Sequence, residues 1–392
     1  MEFIKLNELC EINIGKTPSR SNADYWGTGN KWLSISDLKE KYISKSKEEI
    51  TDLAVKKSNM KLVPKNTVVM SFKLSIGKTA ILKEDMFTNE AIANFQIKNN
   101  EIITPEYLYY ALRTLNFDNT DRAVMGATLN KRKLNDIKIP YFNIHKQNKI
   151  VEVLDKAQDL IDKRKEQIEA LDELVKSRFI EMFGSPRENK FKGKILPEII
   201  DENKYALKRG PFGGSLKKDD FIQNGYLVYE QRHAIHNDFD YAKYYISKEK
   251  YEDMIMFKVE PKDLLVSCSG VTLGRISEVP EGAKAGIINQ ALLKITLNQD
   301  IMNNTYFINL FRNEQIQDKL FGFSRGSGIP NFPSMNEVKA IKFLCPPIEL
   351  QNEFADFANQ VDKLKFEMES SLKELEDNFN SLMQKAFKGE LF

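Results

Sequence analysis

Residues 144–183 read IHKQNKIVEVLDKAQDLIDKRKEQIEALDELVKSRFIEMF and contain neither glycine nor proline. A second stretch of the same texture covers residues 348–388. Both are rich in Glu, Lys, Leu and Ala, which have high helix propensity. Both also exceed the roughly 8–20 residues of an ordinary globular helix. The sequence therefore predicts two long helices.

Apolar residues recur along both helices at alternating spacings of four and three. Eight of ten such positions are apolar in the first helix and nine of ten in the second, displaced by 204 residues, although only 42% of the chain is hydrophobic. A stripe of this kind needs a partner, because a lone helix in water cannot bury it. We predict an antiparallel coiled coil whose seam consists of Ile150, Leu154, Ile161, Ile168, Leu171, Val175, Phe354, Val361, Met368, Leu372, Leu375 and Phe379.

The rest of the chain repeats itself. PKNTVVMS at residues 64–71 matches PKDLLVSC at residues 261–268, an offset of 197, and later blocks match at offsets of up to 204. A drifting offset is typical of insertions in surface loops. We interpret the chain as an α+β protein made of one duplicated unit with pseudo-two-fold symmetry. Its predicted parts are a mixed domain at 1–143, a helix at 144–183, a second domain at 184–346 and a helix at 347–392.

Composition excludes several classes of protein. The 392 residues carry 58 Lys and Arg against 56 Asp and Glu, a net charge of +2, which excludes a strongly basic nucleic-acid coat. Cys10, Cys268 and Cys345 are too few and too far apart for a disulfide framework, which favours a reducing cytoplasm. No apolar run is long enough to be a signal core or a membrane helix, so we expect a cytoplasmic protein without a membrane partner.

Catalytic motifs are missing from the sequence. Gly15-Lys16-Thr17 ends like a phosphate-binding loop, but Cys10 stands where the first glycine of that loop is required. His233 and His236 lie one helical turn apart, yet the chain has only three histidines and no paired cysteines for zinc. We expect no catalytic residue, metal or cofactor in this chain.

What remains is a set of loops that mix Lys or Arg with hydroxyl and amide side chains. The cations complement phosphates, whereas Arg, Gln, Asn and Ser can pair with base edges. Any single loop could equally be a solvated surface, but the loops recur at matching places of both repeats. We predict that double-stranded DNA contacts Lys16, Thr17, Ser19, Arg20, Lys73, Ser75, Lys78, Lys131 and Arg132 in the first domain, and Arg209, Lys217, Lys218, Gln231, Arg232, His233, Ser269, Thr272, Arg275 and Arg325 in the second.

Several short motifs lie at the ends of the two long helices: IP at residues 139–140 with QN at 147–148, PPIELQ at 346–351, FIEMFG at 179–184 and AFKGEL at 386–391. In these motifs, and over essentially its whole length, the chain resembles the specificity subunit of Type I restriction-modification systems. The family usually has Glu-Gln where the helices begin, and this chain has Lys146-Gln147 and Leu350-Gln351 instead. The resemblance implies two target recognition domains, each reading one half of a split DNA sequence, with the coiled coil setting the gap.

The resemblance also implies partner proteins. Two modification subunits would bring the methyl donor and methylate adenine, and restriction subunits would use ATP, while this chain would be non-catalytic. Two alternatives stay open from the residues alone. A coiled-coil scaffold that binds only protein would have no salt-sensitive affinity for duplex DNA, and a nuclease with an unrecognised site would cleave DNA as a purified chain with metal.

Overall fold

The computed structural model describes residues 2–73, 75–115, 121–123, 126–184, 190–212, 214–270, 272–322 and 332–392. The chain divides into two compact units, one formed by Met1–Glu166 with Glu369–Phe392 and the other by Gln167–Met368. Each unit therefore combines one predicted mixed domain with part of both long helices. Among the described residues, no helix is both long and apolar enough to cross a membrane.

The elements of the first unit before the long helices are β1 (Glu2–Lys5), α1 (Leu6–Leu9), β2 (Cys10–Ile14), β3 (Trp26–Leu33), β4 (Tyr42–Ile43), β5 (Glu48–Ile50), α2 (Asp52–Lys57), β6 (Val68–Ser71), β7 (Thr79–Leu82), β8 (Phe87–Thr88), β9 (Ile92–Ile97), α3 (Pro105–Arg113), β10 (Asp121–Ala123), β11 (Gly126–Thr128), α4 (Lys131–Asp136) and β12 (Lys138–Tyr141). They form a five-stranded sheet in the order β2-β9-β6-β7-β4, beside a three-stranded sheet in the order β5-β3-β8. A short antiparallel pair, β1 with β12, joins the start of the domain to its end.

The second mixed domain follows the long helix α5 (Ile144–Phe183). The further elements are β13 (Gly193–Ile195), β14 (Leu207–Arg209), β15 (Tyr226–Tyr229), α6 (Gln231–His236), β16 (Tyr245–Ile246), α7 (Lys248–Asp253), β17 (Lys258–Val259), β18 (Leu264–Ser267), β19 (Ile276–Glu278), β20 (Gly286–Ile288), β21 (Leu292–Ile295), α8 (Asn304–Arg312), α9 (Glu314–Phe321), α10 (Met335–Ala340), β22 (Lys342–Leu344) and the long helix α11 (Ile348–Lys388). The second unit repeats the plan of the first, with a four-stranded sheet in the order β14-β21-β18-β19 and another in the order β16-β15-β20-β17. The pair β13 with β22 corresponds to β1 with β12.

The predicted duplication is present in the hydrogen bonding of the two units. Gly77 N donates to Ser71 O at 2.9 Å, and Gly274 N donates to Ser267 O at the same distance. Both glycines have positive φ, 91° and 79°, a conformation that side chains rarely adopt. The two tight turns are therefore equivalent, and each follows a central strand of its sheet.

The long helices pack antiparallel within each unit. In the first unit, Lys165 of α5 pairs with Glu376 of α11 at 2.9 Å, and Lys146 reaches the carbonyl of Phe392. In the second unit, Asp172 pairs with Lys365 at 2.6 Å, and the order again runs in opposite directions because Arg178 pairs with Glu353.

The predicted seam positions are all at least partly covered. Ile150, Leu154, Ile161, Leu171, Phe354, Val361 and Phe379 are buried, and Ile168, Val175, Met368, Leu372 and Leu375 are half-buried. The helix ends carry the larger part of the packing, since Phe179, Phe183 and Phe354 belong to the core of the second unit. The central part of each helix is more open to solvent.

Candidate nucleic-acid interface

The predicted loops of the first unit converge at one end of its five-stranded sheet. Lys16 N donates to Thr88 O at 2.8 Å, and Phe72 N donates to Ala91 O at 3.0 Å. Leu129 N in turn donates to Phe72 O at 3.0 Å. These backbone bonds join the loops that follow β2 and β6 to the loops that precede β9 and α4.

The second unit builds the same sheet end. Gly210 N donates to Leu292 O at 2.9 Å, and Cys268 N donates to Ala291 O at 2.8 Å. A Cβ at position 210 would lie 1.8 Å from the carbonyl oxygen of Asn289, so only glycine permits this approach. The loops after β14 and β18 therefore meet beside the loop that precedes β21.

Arg20 of the first unit is neutralised inside the unit. Its guanidinium forms a two-point contact with Glu48, with Nη2 and Oε2 2.9 Å apart, and this hydrogen bonding lowers the pKa of Glu48. The guanidinium carbon also lies 3.7 Å from the centre of the Trp26 ring. Any contact of Arg20 with DNA would have to compete with this carboxylate.

The neighbouring polar residues are also engaged. The Lys16 ammonium donates to the carbonyls of Ser58 and Asn59 at 3.3 and 3.1 Å, and the Thr17 hydroxyl donates to Glu90. The hydroxyl of Ser19 pairs with that of Ser21 at 2.8 Å. Polar groups with such partners can still face a ligand, but each has a local role in holding its loop.

Other predicted cations of the first unit are more available. Lys73 is half-buried with its ammonium 5.5 Å from the Phe72 ring. The Ser71 side chain holds the next turn, because its hydroxyl donates to Ser75 O and accepts from Lys78 N. The side chains that are exposed in this group are Ser75, Lys78, Lys131 and Arg132.

In the second unit, Arg232 is exposed and forms an ion pair with Asp238 at 3.2 Å, with its guanidinium 4.5 Å from the Tyr241 ring. Arg325 lies outside the described residues. The remaining predicted residues are Lys217, Lys218 and Arg275, which are exposed, and Arg209, Gln231, Ser269 and Thr272, which are half-buried.

The prediction that His233 faces DNA is wrong. Its side chain is fully buried. Nδ1 accepts from Glu230 N at 2.9 Å, and Nε2 lies 2.9 Å from the carbonyl oxygen of Tyr241, to which it donates. A ring with no exposed surface and both nitrogens engaged cannot reach a base. Its role is to hold the start of the short helix α6.

Sequence reasoning missed the partners that decide which cation is available. Glu48 lies 28 residues from Arg20, and Asp238 lies 6 residues from Arg232. Phe212 and Phe332 flank Arg209 from positions that no local motif connects. In a chain with 29% charged residues, no sequence signal separates these pairs from chance neighbours.

Comparison with known proteins gives a consistent result. The family model of the Type I restriction modification DNA specificity domain matches residues 1–171 and 212–377. The Type I restriction enzyme MjaIX specificity subunit of Methanocaldococcus jannaschii is 24% identical over 408 residues, spanning 99% of this chain and 92% of that protein. The EcoR124I/EcoR124II specificity subunit of Escherichia coli is 30% identical over 164 residues, 40% of each chain.

Two solved structures share the fold. The S subunit of a Type I restriction-modification system from M. genitalium superposes with a TM-score of 0.53 at 14% identity, covering 98% of this chain and 96% of that one. A chain from a type I R-M system, solved to explain complex assembly and conformational transition, superposes with a TM-score of 0.62 at 15% identity. That likeness covers 100% of this chain and 98% of the other.

Proposed function

This chain belongs to the family of Type I restriction-modification DNA specificity domains, and from that membership we propose how its two units divide the work of reading DNA. Each unit carries one target recognition domain and reads one half of a bipartite double-stranded sequence. The observation that supports this division is the sheet end that the chain builds twice, with cationic loops beside Gly15 in one unit and Gly210 in the other.

Phosphate contacts would position the complex on DNA. Lys78, Lys131, Lys217, Lys218 and Arg275 are exposed and form no ion pair with other described residues, so their charge is available to phosphates. Each phosphate that is neutralised releases counterions, so the affinity should fall steeply as salt rises. Base contacts from the same loops would then specify the sequence.

The proposed protein partners are two modification subunits, joined by restriction subunits. The long helices offer a repeated apolar contact for two copies of one partner, because Leu160 and Leu364 are related by the repeat offset of 204 and are 53% and 43% exposed. In this proposal the partners supply the methyl donor, the adenine-methylating site and ATP hydrolysis. The chain itself supplies recognition without catalysis and acts in the cytoplasm, where the DNA lies.

The test is methylome sequencing of a methylation-free host that expresses this chain with the modification subunit of its system. We expect adenine methylation at a split motif, absent from cells without this chain. Removing one heptad in register from each long helix should leave both half-sites unchanged and shorten the gap. A methylated motif with an unchanged gap would contradict the proposal that the helices set the spacing.

The two alternatives predict other results, one for the complex with the modification subunit and one for the purified chain. A protein-only scaffold would leave the modification subunit without any sequence preference and the complex without salt-sensitive affinity for duplex DNA. A nuclease would cleave duplex DNA when Mg²⁺ or Mn²⁺ is added to the chain alone. We expect salt-sensitive binding by the complex and no cleavage by the chain.

A further inference from the structure

Arg209, at the end of β14, is a half-buried cation held between two aromatic rings. Its guanidinium carbon lies 5.5 Å from the centre of the Phe212 ring and 5.0 Å from that of the Phe332 ring. Phe212 is itself 65% exposed, so the pair of rings is open to solvent on the side of Phe212. Contact with aromatic faces stabilises a cation and restricts its orientation without using its N–H donors.

The donors of Arg209 are unused in the part of the chain that the structure describes. Its Nε is buried without a hydrogen-bond partner, and the side chain forms no ion pair there. Cys268 is a neighbouring titratable group, but burial raises its pKa to about 12 against the opposing effect of Arg209. It therefore remains a neutral thiol at pH 7 and supplies no counter-charge.

Gln231, at the start of α6, has an unused acceptor at the same sheet end. Its Nε2 donates to the Ser269 hydroxyl at 2.7 Å, which fixes the carboxamide, while Oε1 is buried without a partner among the described residues. Ser269 directly follows Cys268, the neighbour of Arg209. A buried acceptor without a partner lowers stability, so such a group calls for an explanation such as a ligand that uses it.

Among the described residues, the two other arginines of the predicted DNA contacts that lie over aromatic rings differ from Arg209. Arg20 and Arg232 are each paired with a carboxylate, Glu48 and Asp238. Gly15 of the first unit is equivalent to Gly210, and the residue before it is Ile14, whose side chain has no hydrogen-bond donor. Within the described ranges, a guanidinium that contacts two aromatic rings and forms no ion pair is therefore a feature of the second unit.

We propose that Arg209 reads a guanine in the half-site bound by the second unit, and that Gln231 Oε1 accepts from the exocyclic amine of an adjacent adenine or cytosine. This inference rests on the proposed function. The planar fork of arginine matches O6 and N7 of guanine in the major groove, and exocyclic amines are the donors that adenine and cytosine present there. The two aromatic rings already restrict the guanidinium of Arg209, so the side chain loses little rotamer freedom on binding.

The experiment compares Arg209→Met with Arg113→Met in the full-length chain, expressed with its modification subunit and read by methylome sequencing. Arg209→Met should retain the first half-site and the gap while one G·C position of the second half-site becomes degenerate. Discrimination at that position, measured with duplexes that differ at one base pair, should fall on the order of 10- to 100-fold. Arg113→Met removes an exposed arginine that lies 5.2 Å from the centre of the Tyr109 ring, outside the predicted DNA contacts, and should leave the motif unchanged. Gln231→Leu should relax a different position.

An unchanged motif in Arg209→Met would overturn the inference. So would a uniform loss of methylation by a variant that melts at the wild-type temperature, because that result indicates general affinity. If Arg209→Met melts early, Arg209→Lys decides the question, since it keeps the charge between the rings but cannot form the fork. It should relax the same position, and a strict motif would overturn the inference. A wild-type chain that produces no split motif would instead refute the proposed function.

Discussion

Gln147 and Gln351 make the same three hydrogen bonds, each inside its own unit. Gln147 Nε2 donates to the carbonyls of Ile102 and Phe142 at 2.7 and 2.8 Å, and its Oε1 accepts from Thr104 N at 3.1 Å. Gln351 repeats this pattern with three equivalent backbone groups at distances of 2.8–3.0 Å. Both side chains are fully buried. Each carboxamide thus fastens the first turn of a long helix to the domain beside it.

Gln147→Leu is expected to destabilise the first unit. It leaves three partly buried backbone groups without their side-chain partner, and we expect a loss of about 3 kcal/mol in the free energy of unfolding. Urea denaturation followed by circular dichroism measures it. The matched control is Asn148→Ala at the next, exposed position, where the change should stay within about 0.5 kcal/mol. Equal effects of the two substitutions would refute the role of the carboxamide.

The buried pair of Lys294 and Asp263 in the second unit should respond to single and double substitution differently. The two side chains are 2% and 1% exposed, and their charged atoms are 3.5 Å apart. Lys294→Met leaves a buried carboxylate unpaired and should cost about 3–5 kcal/mol, whereas Lys294→Met combined with Asp263→Asn should recover most of that loss. A double variant as unstable as the single one would contradict this. The first unit has Thr67 and Asn94 at the matching positions, because Leu82 N donates to Thr67 O as Val279 N donates to Asp263 O.

The destabilisation by Lys294→Met should depend on pH. Burial raises the pKa of Asp263 above 3.8, and Lys294 opposes that effect. Removing the lysine raises the folded-state pKa of Asp263 further, so the protonated form becomes the better tolerated one. The deficit relative to wild type should therefore be full at neutral pH and shrink as the pH falls through the raised pKa. Urea denaturation across this range checks the sign, and a deficit that grows on acidification would contradict it.

Ile161 and Leu160 are adjacent on α5 but should behave in opposite ways. Ile161 is 3% exposed within the core of the first unit, and Leu160 is 53% exposed. Ile161→Ala should lower the free energy of unfolding by about 3 kcal/mol through lost burial and the cavity it leaves. Leu160→Ala should leave stability nearly unchanged and weaken association with the modification subunit, measured by calorimetry. Stable complexes with wild-type affinity would exclude Leu160 from that contact.

The three cysteines should differ in reactivity. Burial raises the pKa of Cys10 and Cys268 to about 12 in each case, whereas Cys345 is half-buried and its pKa is raised as well. Because the thiolate is the reactive form, iodoacetamide at pH 8 should label Cys345 first. Mass spectrometry identifies the site, and all three thiols should react in denaturant. Labelling of Cys10 at the rate of Cys345 in the folded chain would contradict the burial of its thiol.

Local patterns sufficed to predict the elements that are periodic. The first long helix begins and ends at the residues predicted, because it lies in a run without glycine or proline that stops at Gly184. The similar PKNTVVMS and PKDLLVSC segments likewise revealed the duplication. The structure, however, matches Ser71 with Ser267, an offset of 196 rather than 197, because these two residues accept the equivalent hydrogen bonds from Gly77 and Gly274. The division into units was harder to foresee, because a single helix contributes to both of them.

The sequence by itself determined the two long helices, the repeat and the loops that carry cations, since all three depend on residues close together in the chain. Only the tertiary structure decided which of those cations is available. Arg20 is held by Glu48, His233 is buried, and Arg209 lies between Phe212 and Phe332 without an ion pair to any residue that the structure describes. The physical reason is that charge neutralisation and desolvation act over a few ångströms in space, and the fold brings those partners together from distant positions.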